Sequence, residues 1–376
     1  MDRYLEPFIK EDLHEKMVFV GGPRQVGKTV LAYHLLGAKN ETHRGYLNWD
    51  IPEVQRRLIR GEIPAKEDLL VLDEIHKYKK WRNLVKGLYD GNKSTIRFLI
   101  TGSARLDYFR KGGDSLQGRY HYYRLHPLSL GEVNANANKR DLAVLLRFGG
   151  FPEPFLKSNE RHWKRWQMER QERVIQEDLI SMEHVRDITQ LKLLSNLLPP
   201  KVGNLLSIPN LRQDLGVAFE TANKWISIFE NLYYCFCIQA YGFSVARAAN
   251  KEKKLYLWDW SLVDGTAARF ENLVASHLLK YCHFHQDHDG EKMELCFYRD
   301  SNKRELDFIV MKDRRPLFAV ECKTGDKDLA ENIRFFSKRL PIPRYYQVHM
   351  GDRHSEFPDH KAELLPFTEF ARILKV

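Results

Sequence analysis

The stretch that decides the fold is Gly22-Pro23-Arg24-Gln25-Val26-Gly27-Lys28-Thr29. It fits the phosphate-loop pattern G-x-x-x-x-G-K-[ST] and lies between an apolar run, MVFV at 17–20, and a helical pattern at 28–36. Its glycines let backbone N–H groups wrap a β-phosphate, and the helix N-terminus adds a partial positive charge. We therefore expect this loop to bind ATP, with Lys28 on the β- and γ-phosphates and Thr29 as a ligand of Mg²⁺.

A second apolar run, LLVL at 69–72, ends in two carboxylates, Asp73 and Glu74. A carboxylate at the carboxyl end of a strand is where a Walker B group holds Mg²⁺, which assigns that role to Asp73. Glu74 beside it would polarise the attacking water as a general base. Together the two motifs predict an enzyme that binds and hydrolyses ATP.

Three further polar residues are candidates for the same site. The run RFLI at 97–100 leads into Thr101-Gly102-Ser103, where Ser103, or alternatively Thr101, can sense a γ-phosphate. A plain strand-to-loop turn explains that pattern equally well. Arg119 can act as an arginine finger in cis or in trans, or can be an exposed loop arginine.

The composition excludes several other classes of protein. The chain has 376 residues, of which 43% are hydrophobic and 12% aromatic, so a wholly disordered chain is excluded. No apolar run approaches the roughly 18 residues of a membrane helix. The charged N-terminus has no signal-peptide core, and we therefore expect a cytoplasmic protein without a membrane partner. Five cysteines without a CxxC motif favour reduced thiols.

The net charge of +10 indicates an anionic partner and makes DNA or RNA a candidate. The excess is uneven along the chain. Residues 1–130 carry 23 basic and 16 acidic groups, residues 131–260 carry 18 and 15, and residues 261–376 carry 19 and 19. We therefore expect any contact with nucleic acid to come mainly from residues before about 260.

The hydrophobic pattern predicts an α/β fold in several parts. Short apolar runs alternate with helical patterns over the first 130 residues, which is typical of a parallel sheet with crossover helices. The stretch GGFPEPFL at 149–156 interrupts this pattern, helical periodicity follows over 160–198, and strands return from 254. We predict an ATPase domain at 1–155, a helical and winged-helix-like segment at 156–250, and a third domain at 251–376.

The motifs GPRQVGKT, LLVLDEIH, ITGSAR, GRYHYYRLHPLSLGE and GGFPEP resemble those of bacterial and archaeal AAA-like P-loop ATPases. Members of that family carry a C-terminal domain related to PD-(D/E)xK nucleases. The resemblance implies an AAA-like parallel-sheet domain followed by an α/β restriction-endonuclease-like domain. It also implies a nucleotide site made of Lys28, Thr29, Asp73 and Glu74, with Arg119 at the family's Gly-Arg position.

The segment at 207–241 resembles a winged helix-turn-helix. Its packing positions would be Leu211 and Leu215 in the first helix, Gly216 in the turn, and Ala222, Trp225 and Ile226 in the second helix. The run YYCFCIQAY alternates as a wing strand would. Because the second helix holds one lysine and two glutamates, a structural or protein-contact role is favoured over reading a DNA sequence.

Two other stretches allow a functional and an ordinary interpretation. The basic stretch at 161–173 can bind phosphate or can be a solvated helix face; its cations are Arg161, Lys164, Arg165, Arg170 and Arg173. Cys282 stands next to three histidines, at 283, 285 and 288, and a solvated loop is favoured there over a zinc site.

The last third holds four residues at the spacing of a metal-dependent nuclease: Glu271, Asp307, Glu321 and Lys323. Side chains two residues apart on a strand share a face, so Glu321 and Lys323 point together, and Asp307 would lie on the adjacent hairpin strand. Asp307 and Glu321 would hold a second Mg²⁺ or a Mn²⁺, and Lys323 would orient the nucleophile. Glu305 lies on the same face as Asp307 and can assist.

The sequence thus supports two functions. The first is an ATP-hydrolysing enzyme that acts on, or is regulated by, nucleic acid and carries a candidate nuclease site. The alternative is a nucleotide-dependent switch or homo-oligomeric scaffold, whose C-terminal domain binds partners and is catalytically inactive.

Overall fold

The computed structural model of the chain describes residues 2–64, 66–102, 116–174, 188–242 and 252–376. Two compact units divide the chain, Met1–His126 and Pro127–Val376. Ser103, the first candidate for a γ-phosphate sensor, lies outside the described residues. Within the described ranges, no helix combines the length and the apolar character that crossing a membrane requires.

The N-terminal unit is built on a five-stranded parallel sheet. Its strands are β1 (Met17–Gly21), β2 (Tyr46–Asn48), β3 (Leu69–Asp73), β4 (Arg97–Thr101) and β5 (Tyr120–Arg124), in the order β2-β3-β4-β1-β5. Its helices are α1 (Glu6–Asp12), α2 (Lys28–Leu36), α3 (Pro52–Ile59) and α4 (Trp81–Asn92). Strands β1 and β3 are buried along their whole length, as continuous apolar runs in a parallel sheet must be. The predicted α/β pattern of this region is confirmed.

The C-terminal unit begins with helices and is built on an eight-stranded mixed sheet. Its helices are α5 (Leu130–Val133), α6 (Lys139–Phe148), α7 (Pro152–Lys157), α8 (Glu160–Arg173), α9 (Ile188–Leu197), α10 (Ile208–Leu215), α11 (Phe219–Asn231), α12 (Thr266–Asp287), α13 (Glu331–Phe336) and α14 (Phe367–Leu374). Its strands are β6 (Cys235–Ala240), β7 (Lys253–Leu257), β8 (Met293–Arg299), β9 (Glu305–Lys312), β10 (Arg315–Lys323), β11 (Tyr345–His349), β12 (Ser355–Phe357) and β13 (Ala362–Pro366). They follow the order β12-β13-β11-β10-β9-β8-β6-β7.

Strand β6 connects the predicted segment at 156–250 with the predicted domain at 251–376. It pairs antiparallel with β7 and parallel with β8, so it belongs to the large sheet. The two helices before it, α10 and α11, meet at a turn with Gly216 at a φ of 65°, and Leu211, Leu215 and Trp225 are buried. The run that was expected to form a wing is therefore also part of the C-terminal sheet, and the predicted boundary near 250 falls between two strands of that sheet.

The stretch around Cys282 is helical, and its prediction as a loop was wrong. Helix α12 continues through it to Asp287, and Cys282 is 1% exposed on the buried face of this helix. The polar residues misled the prediction because they lie on the outer face of a long helix. His285, inside α12, contacts the Asp289 carboxylate.

Arg170 does not belong to an exposed basic surface, unlike the other cations of 161–173. Its guanidinium group is buried and lies 4.1 Å from the centre of the Phe151 ring and 3.9 Å from Asp259 Oδ2. It is therefore a packing residue of the C-terminal unit. The cations at 161, 164, 165 and 173 are exposed.

A buried ion pair fastens α5 to α12. Lys280 Nζ contacts the Glu132 carboxylate and donates to Ser129 Oγ at 2.9 Å, and both charged side chains are at most 4% exposed. One turn away, His277 Nε2 accepts the Leu130 N–H at 3.0 Å. Burial lowers the pKa of His277 to about 4, so this imidazole is neutral at physiological pH and accepts the bond. The sequence PLSLGE thus forms the docking point for α12.

Candidate nucleotide site and carboxylate cluster

The phosphate loop turns sharply where β1 ends. Gly22 has a φ of 144°, and a Cβ at this position would lie 2.5 Å from the Leu125 carbonyl oxygen. Gly27 has a φ of 99° and precedes the first residue of α2, so the loop leads directly into a helix N-terminus. Only glycine fits at position 22, because a side chain would collide with backbone that cannot move away. The loop therefore has the shape expected of a phosphate cradle.

Lys28 lies with its ammonium group inside this loop. Its Nζ donates to the carbonyl oxygens of Gly22 at 3.0 Å and Pro23 at 2.7 Å, and the residue is 7% exposed. These two contacts offset part of the cost of burying the charge. The ammonium group is thus held against the backbone of the loop that would surround the phosphates.

Asp73 at the end of β3 is the centre of a hydroxyl network. Thr29 Oγ1 donates to its Oδ2 at 3.2 Å, Tyr46 donates to the same oxygen, and Thr101 donates to Oδ1. Tyr46 stands on β2, which pairs with β3. Burial and the nearby Asp73 carboxylate raise the pKa of Tyr46, so its hydroxyl stays protonated and donates. Thr101, the second candidate for a γ-phosphate sensor, is fully buried and contacts Asp73 instead.

Glu74 follows in a left-handed conformation, with a φ of 57°, at the point where β3 ends. Its Oε2 lies 3.6 Å from both His76 Nε2 and Lys77 Nζ, and it has no hydrogen-bond partner among the described residues. Burial raises the pKa of Glu74, while the Lys28 and Lys77 charges oppose this shift. A carboxylate with a raised pKa and an unused oxygen is suited to act as a base.

Arg119 lies at the amino ends of the parallel strands, whereas the phosphate loop lies at their carboxyl ends. Strand β5 runs parallel to β1 with Tyr120 beside Met17, so Arg119 precedes the strands, whereas the phosphate loop follows them. The five residues of β1 place these two points about 16 Å apart. Its Nε and Nη2 donate to the Asp90 carboxylate at 3.0 and 3.3 Å. The structure does not bring Arg119 to the loop of its own chain, and the alternative of action in trans stays a prediction.

The C-terminal candidates converge at the ends of β9 and β10. These strands pair antiparallel with Val320 opposite Phe308, and one more residue of the same register sets Glu321 opposite Asp307. The Cys322 N–H donates to Asp307 Oδ2 at 2.8 Å. The sequence therefore correctly identifies a hairpin that brings two carboxylates together.

Glu321 is the most enclosed of these carboxylates. It is 2% exposed, its Oε1 accepts from Lys323 Nζ at 2.7 Å, and its Oε2 has no hydrogen-bond partner in the described parts of the chain. Burial, and secondly the Asp307 charge, raise the pKa of Glu321. The free oxygen therefore faces an environment in which a cation would be favourable.

Glu271 reaches the same place from helix α12. Its Oε1 accepts from the Tyr256 hydroxyl at 2.8 Å and lies 3.8 Å from Lys254 Nζ. Burial and the Asp307 charge raise the pKa of Glu271. Glu305, the expected assistant, instead forms an ion pair with the buried Lys254. Lys254 and Tyr256 were not identified from the sequence, because only the pairing of β7 with β6 brings them to this sheet.

The carboxylate cluster, by which we mean Glu271, Asp307 and Glu321, fits a divalent cation by its chemistry but is spread out. In the described residues, two trios of potential ligands have all ligand atoms within 4.8 Å of one another: Asp2, Glu6 and His34, and His285, Asp289 and Glu291. The carboxylate cluster is not among them. Side-chain rotation would thus have to accompany the binding of a shared ion.

Comparisons with known families divide the chain into three segments. Residues 14–134 match an AAA domain, residues 139–272 match a domain of unknown function (DUF8612), and residues 267–370 match another (DUF4143). The first match includes the loop, Asp73 and Glu74, and it supports an AAA-like P-loop domain in the N-terminal unit. The other two matches carry no activity in their descriptions.

Similar proteins cover most of the chain. An uncharacterised protein of Methanocaldococcus jannaschii is 23% identical over 404 residues, spanning 95% of this chain and 88% of its own. One from Mycobacterium tuberculosis is 22% identical over 361 residues, spanning 93% and 80%.

Solved structures give weaker matches. Aeropyrum pernix ORC1 in complex with DNA aligns with a TM-score of 0.34 and 13% identity over 72% of this chain and 91% of its own. The Thermotoga maritima RuvB Holliday junction branch migration motor aligns with a TM-score of 0.32 and 15% identity over 61% and 86%. Likenesses of this degree establish neither a shared fold nor a shared function.

Proposed function

We propose that the N-terminal unit binds ATP and hydrolyses it. The observation that carries this proposal is the convergence of Lys28, Thr29, Asp73 and Glu74 at one edge of the sheet. Mg²⁺, held by Thr29 and Asp73, would neutralise charge on the phosphates when bound. Lys28 exchanges its carbonyl contacts for phosphate oxygens, and Glu74 takes a proton from the attacking water. The match of residues 14–134 to an AAA domain supports this assignment.

Replacing Glu74 with glutamine tests the proposed base. We expect ATP affinity to stay within about twofold and hydrolysis to fall at least about a hundredfold, since a general base contributes that much. Phosphate release and the binding of a fluorescent ATP analogue measure the two quantities separately. Glu62→Gln, which removes the charge of an exposed glutamate, is the control. Normal turnover in Glu74→Gln would show that another group activates the water.

We further propose that the C-terminal unit cleaves phosphodiesters in a metal-dependent reaction. The observation that favours this function is the position of Asp307 opposite the buried Glu321, whose Oε1 accepts from Lys323 Nζ, with Glu271 near enough for the Asp307 charge to raise its pKa. Asp307 and Glu321 would hold the ion, and Lys323 would orient the nucleophile. DNA or RNA would be the substrate, and the helix-turn-helix of α10 and α11 would contact the same partner or a protein.

Cleavage of plasmid DNA or of a labelled RNA with Mg²⁺ or Mn²⁺, with and without ATP, tests this second function. We expect Lys323→Ala to abolish cleavage, whereas Lys28→Ala retains it in the absence of ATP. Glu294→Gln changes an exposed carboxylate on β8 and should behave as the wild type. If ATP is hydrolysed and neither DNA nor RNA is cut under any of these conditions, the alternative of a nucleotide-dependent switch or homo-oligomeric scaffold replaces the nuclease.

A further inference from the structure

Two arginines of the C-terminal unit contact the same aromatic ring. The guanidinium carbons of Arg304 and Arg339 lie 3.6 and 3.7 Å from the centre of the Phe335 ring. Both guanidinium groups are therefore in direct contact with the ring. We call these three residues the arginine stack. The ring contacts restrict both guanidinium groups before any ligand binds.

The arginine stack lies within a basic part of the last third of the chain, which is neutral overall. The turn at 300–304 and the segment at 331–339 contain five basic and two acidic side chains. Lys303, Arg334 and Lys338 are exposed next to the stack. Asp300 is the acidic partner of Arg304, with its Oδ2 2.7 Å from Nε. Exposed cations in excess repel one another, and an anion that contacts several of them relieves this repulsion.

The same segment adjoins the carboxylate cluster. Gln347 of β11 lies opposite Glu321, and its side chain accepts the Ala330 N–H at 2.7 Å. Helix α13, which begins at Glu331, therefore starts beside Glu321. From the other side, Arg304 comes three residues before Asp307 on β9. The basic segment thus flanks the carboxylates both along the chain and across the sheet.

We propose that the arginine stack and its basic neighbours bind the phosphodiester backbone of a nucleic acid that extends to the carboxylate cluster. Guanidinium groups suit phosphate oxygens because they can donate two parallel hydrogen bonds to them. A protein partner is less favoured by the surface, because none of the large exposed apolar side chains of the described residues lies in 300–304 or 331–339, and protein interfaces have an apolar centre. The proposal rests on the second proposed function for its substrate class, whereas the binding itself requires no cleavage.

Fluorescence anisotropy with labelled single-stranded DNA, duplex DNA and RNA tests this surface. The full chain is used in EDTA without ATP, so that neither ATP hydrolysis nor metal-dependent cleavage of the probe takes place. For Arg304→Gln/Arg339→Gln we expect at least about a tenfold higher Kd, and a slope of log affinity against log salt that is smaller by about 2. Arg161→Gln/Arg165→Gln on α8 removes two exposed arginines elsewhere in the same unit and should change neither value.

The outcomes separate this proposal from the nuclease assignment. If the wild type binds none of the three probes, or if affinity falls only in the α8 variant, the proposal is overturned. If binding depends on the two arginines but no cleavage occurs, the proposed binding surface is supported and the proposed nuclease activity is rejected. If the glutamine variant unfolds, Arg304→Lys/Arg339→Lys replaces it, because this variant keeps both charges. We expect it to retain the wild-type slope of log affinity against log salt. A slope smaller by about 2 in this variant would show that charge is not the basis of binding.

Discussion

Replacing Lys28 with alanine is expected to weaken ATP binding at least about a hundredfold. The ammonium group is buried in the loop, where it donates to the carbonyl oxygens of Gly22 and Pro23, and phosphate oxygens would be stronger partners than these carbonyls. Losing two charge-assisted hydrogen bonds costs about 3 kcal/mol, and each 1.4 kcal/mol is about tenfold in affinity. Titration calorimetry with ATP and Mg²⁺ measures the loss directly.

Lys39→Ala is the matched control for Lys28→Ala. Lys39 is an exposed lysine just beyond α2, and its removal should leave the Kd for ATP unchanged. A thermal melt of each variant shows whether the protein is still folded. Near-normal ATP affinity in a folded Lys28→Ala protein would contradict the assignment of the loop as the nucleotide site.

Replacing Lys280 with methionine is expected to destabilise the C-terminal unit by about 3–5 kcal/mol. The methionine fills a similar space, but Glu132 is then a buried carboxylate without its cation. Ser129 also loses the lysine contact. Urea unfolding, followed by the fluorescence of the tryptophans, measures the change in the free energy of unfolding. An ATP titration of the same variant shows whether the N-terminal unit is unaffected.

Two further variants separate the pair from general effects of losing a lysine. Lys164→Met breaks an exposed contact to Glu160 at 3.9 Å and should cost less than about 1 kcal/mol. Lys280→Met/Glu132→Leu replaces both charges and should recover most of the lost stability, since an apolar pair avoids the desolvation penalty. If the double variant is as unstable as Lys280→Met, the packing of the lysine stem, not its charge, stabilises this site.

The sequence predicts which residues come together at the candidate nucleotide site because its information is local. The loop, the strand before it and the helix after it occupy adjacent residues, so one motif fixes all three. Asp73 follows from an apolar run that ends in a carboxylate. The hairpin of β9 and β10 is similarly local, and Asp307 and Glu321 were placed together without knowledge of the rest of the sheet.

The contacts that were missed all depend on strand order or on burial of a polar group. Tyr46 reaches Asp73 only because β2 lies next to β3, and no local pattern specifies that neighbour. Arg119 was a candidate on sequence grounds, but the direction of β5 places it at the amino ends of the strands, away from the phosphate loop. Arg170 reads as a surface cation in a polar helix and is instead buried against Phe151. Such choices are made by tertiary packing.

The pairing of β6 with both β7 and β8 limits where the chain can be cut for study. A fragment that begins at residue 251 would leave β8 and β7 without the strand between them. Each would then present a row of unpaired N–H and C=O groups, which invites association with other chains. A C-terminal fragment that keeps the sheet intact therefore has to include β6, so the carboxylate cluster cannot be studied on a fragment cut at the predicted boundary near 250.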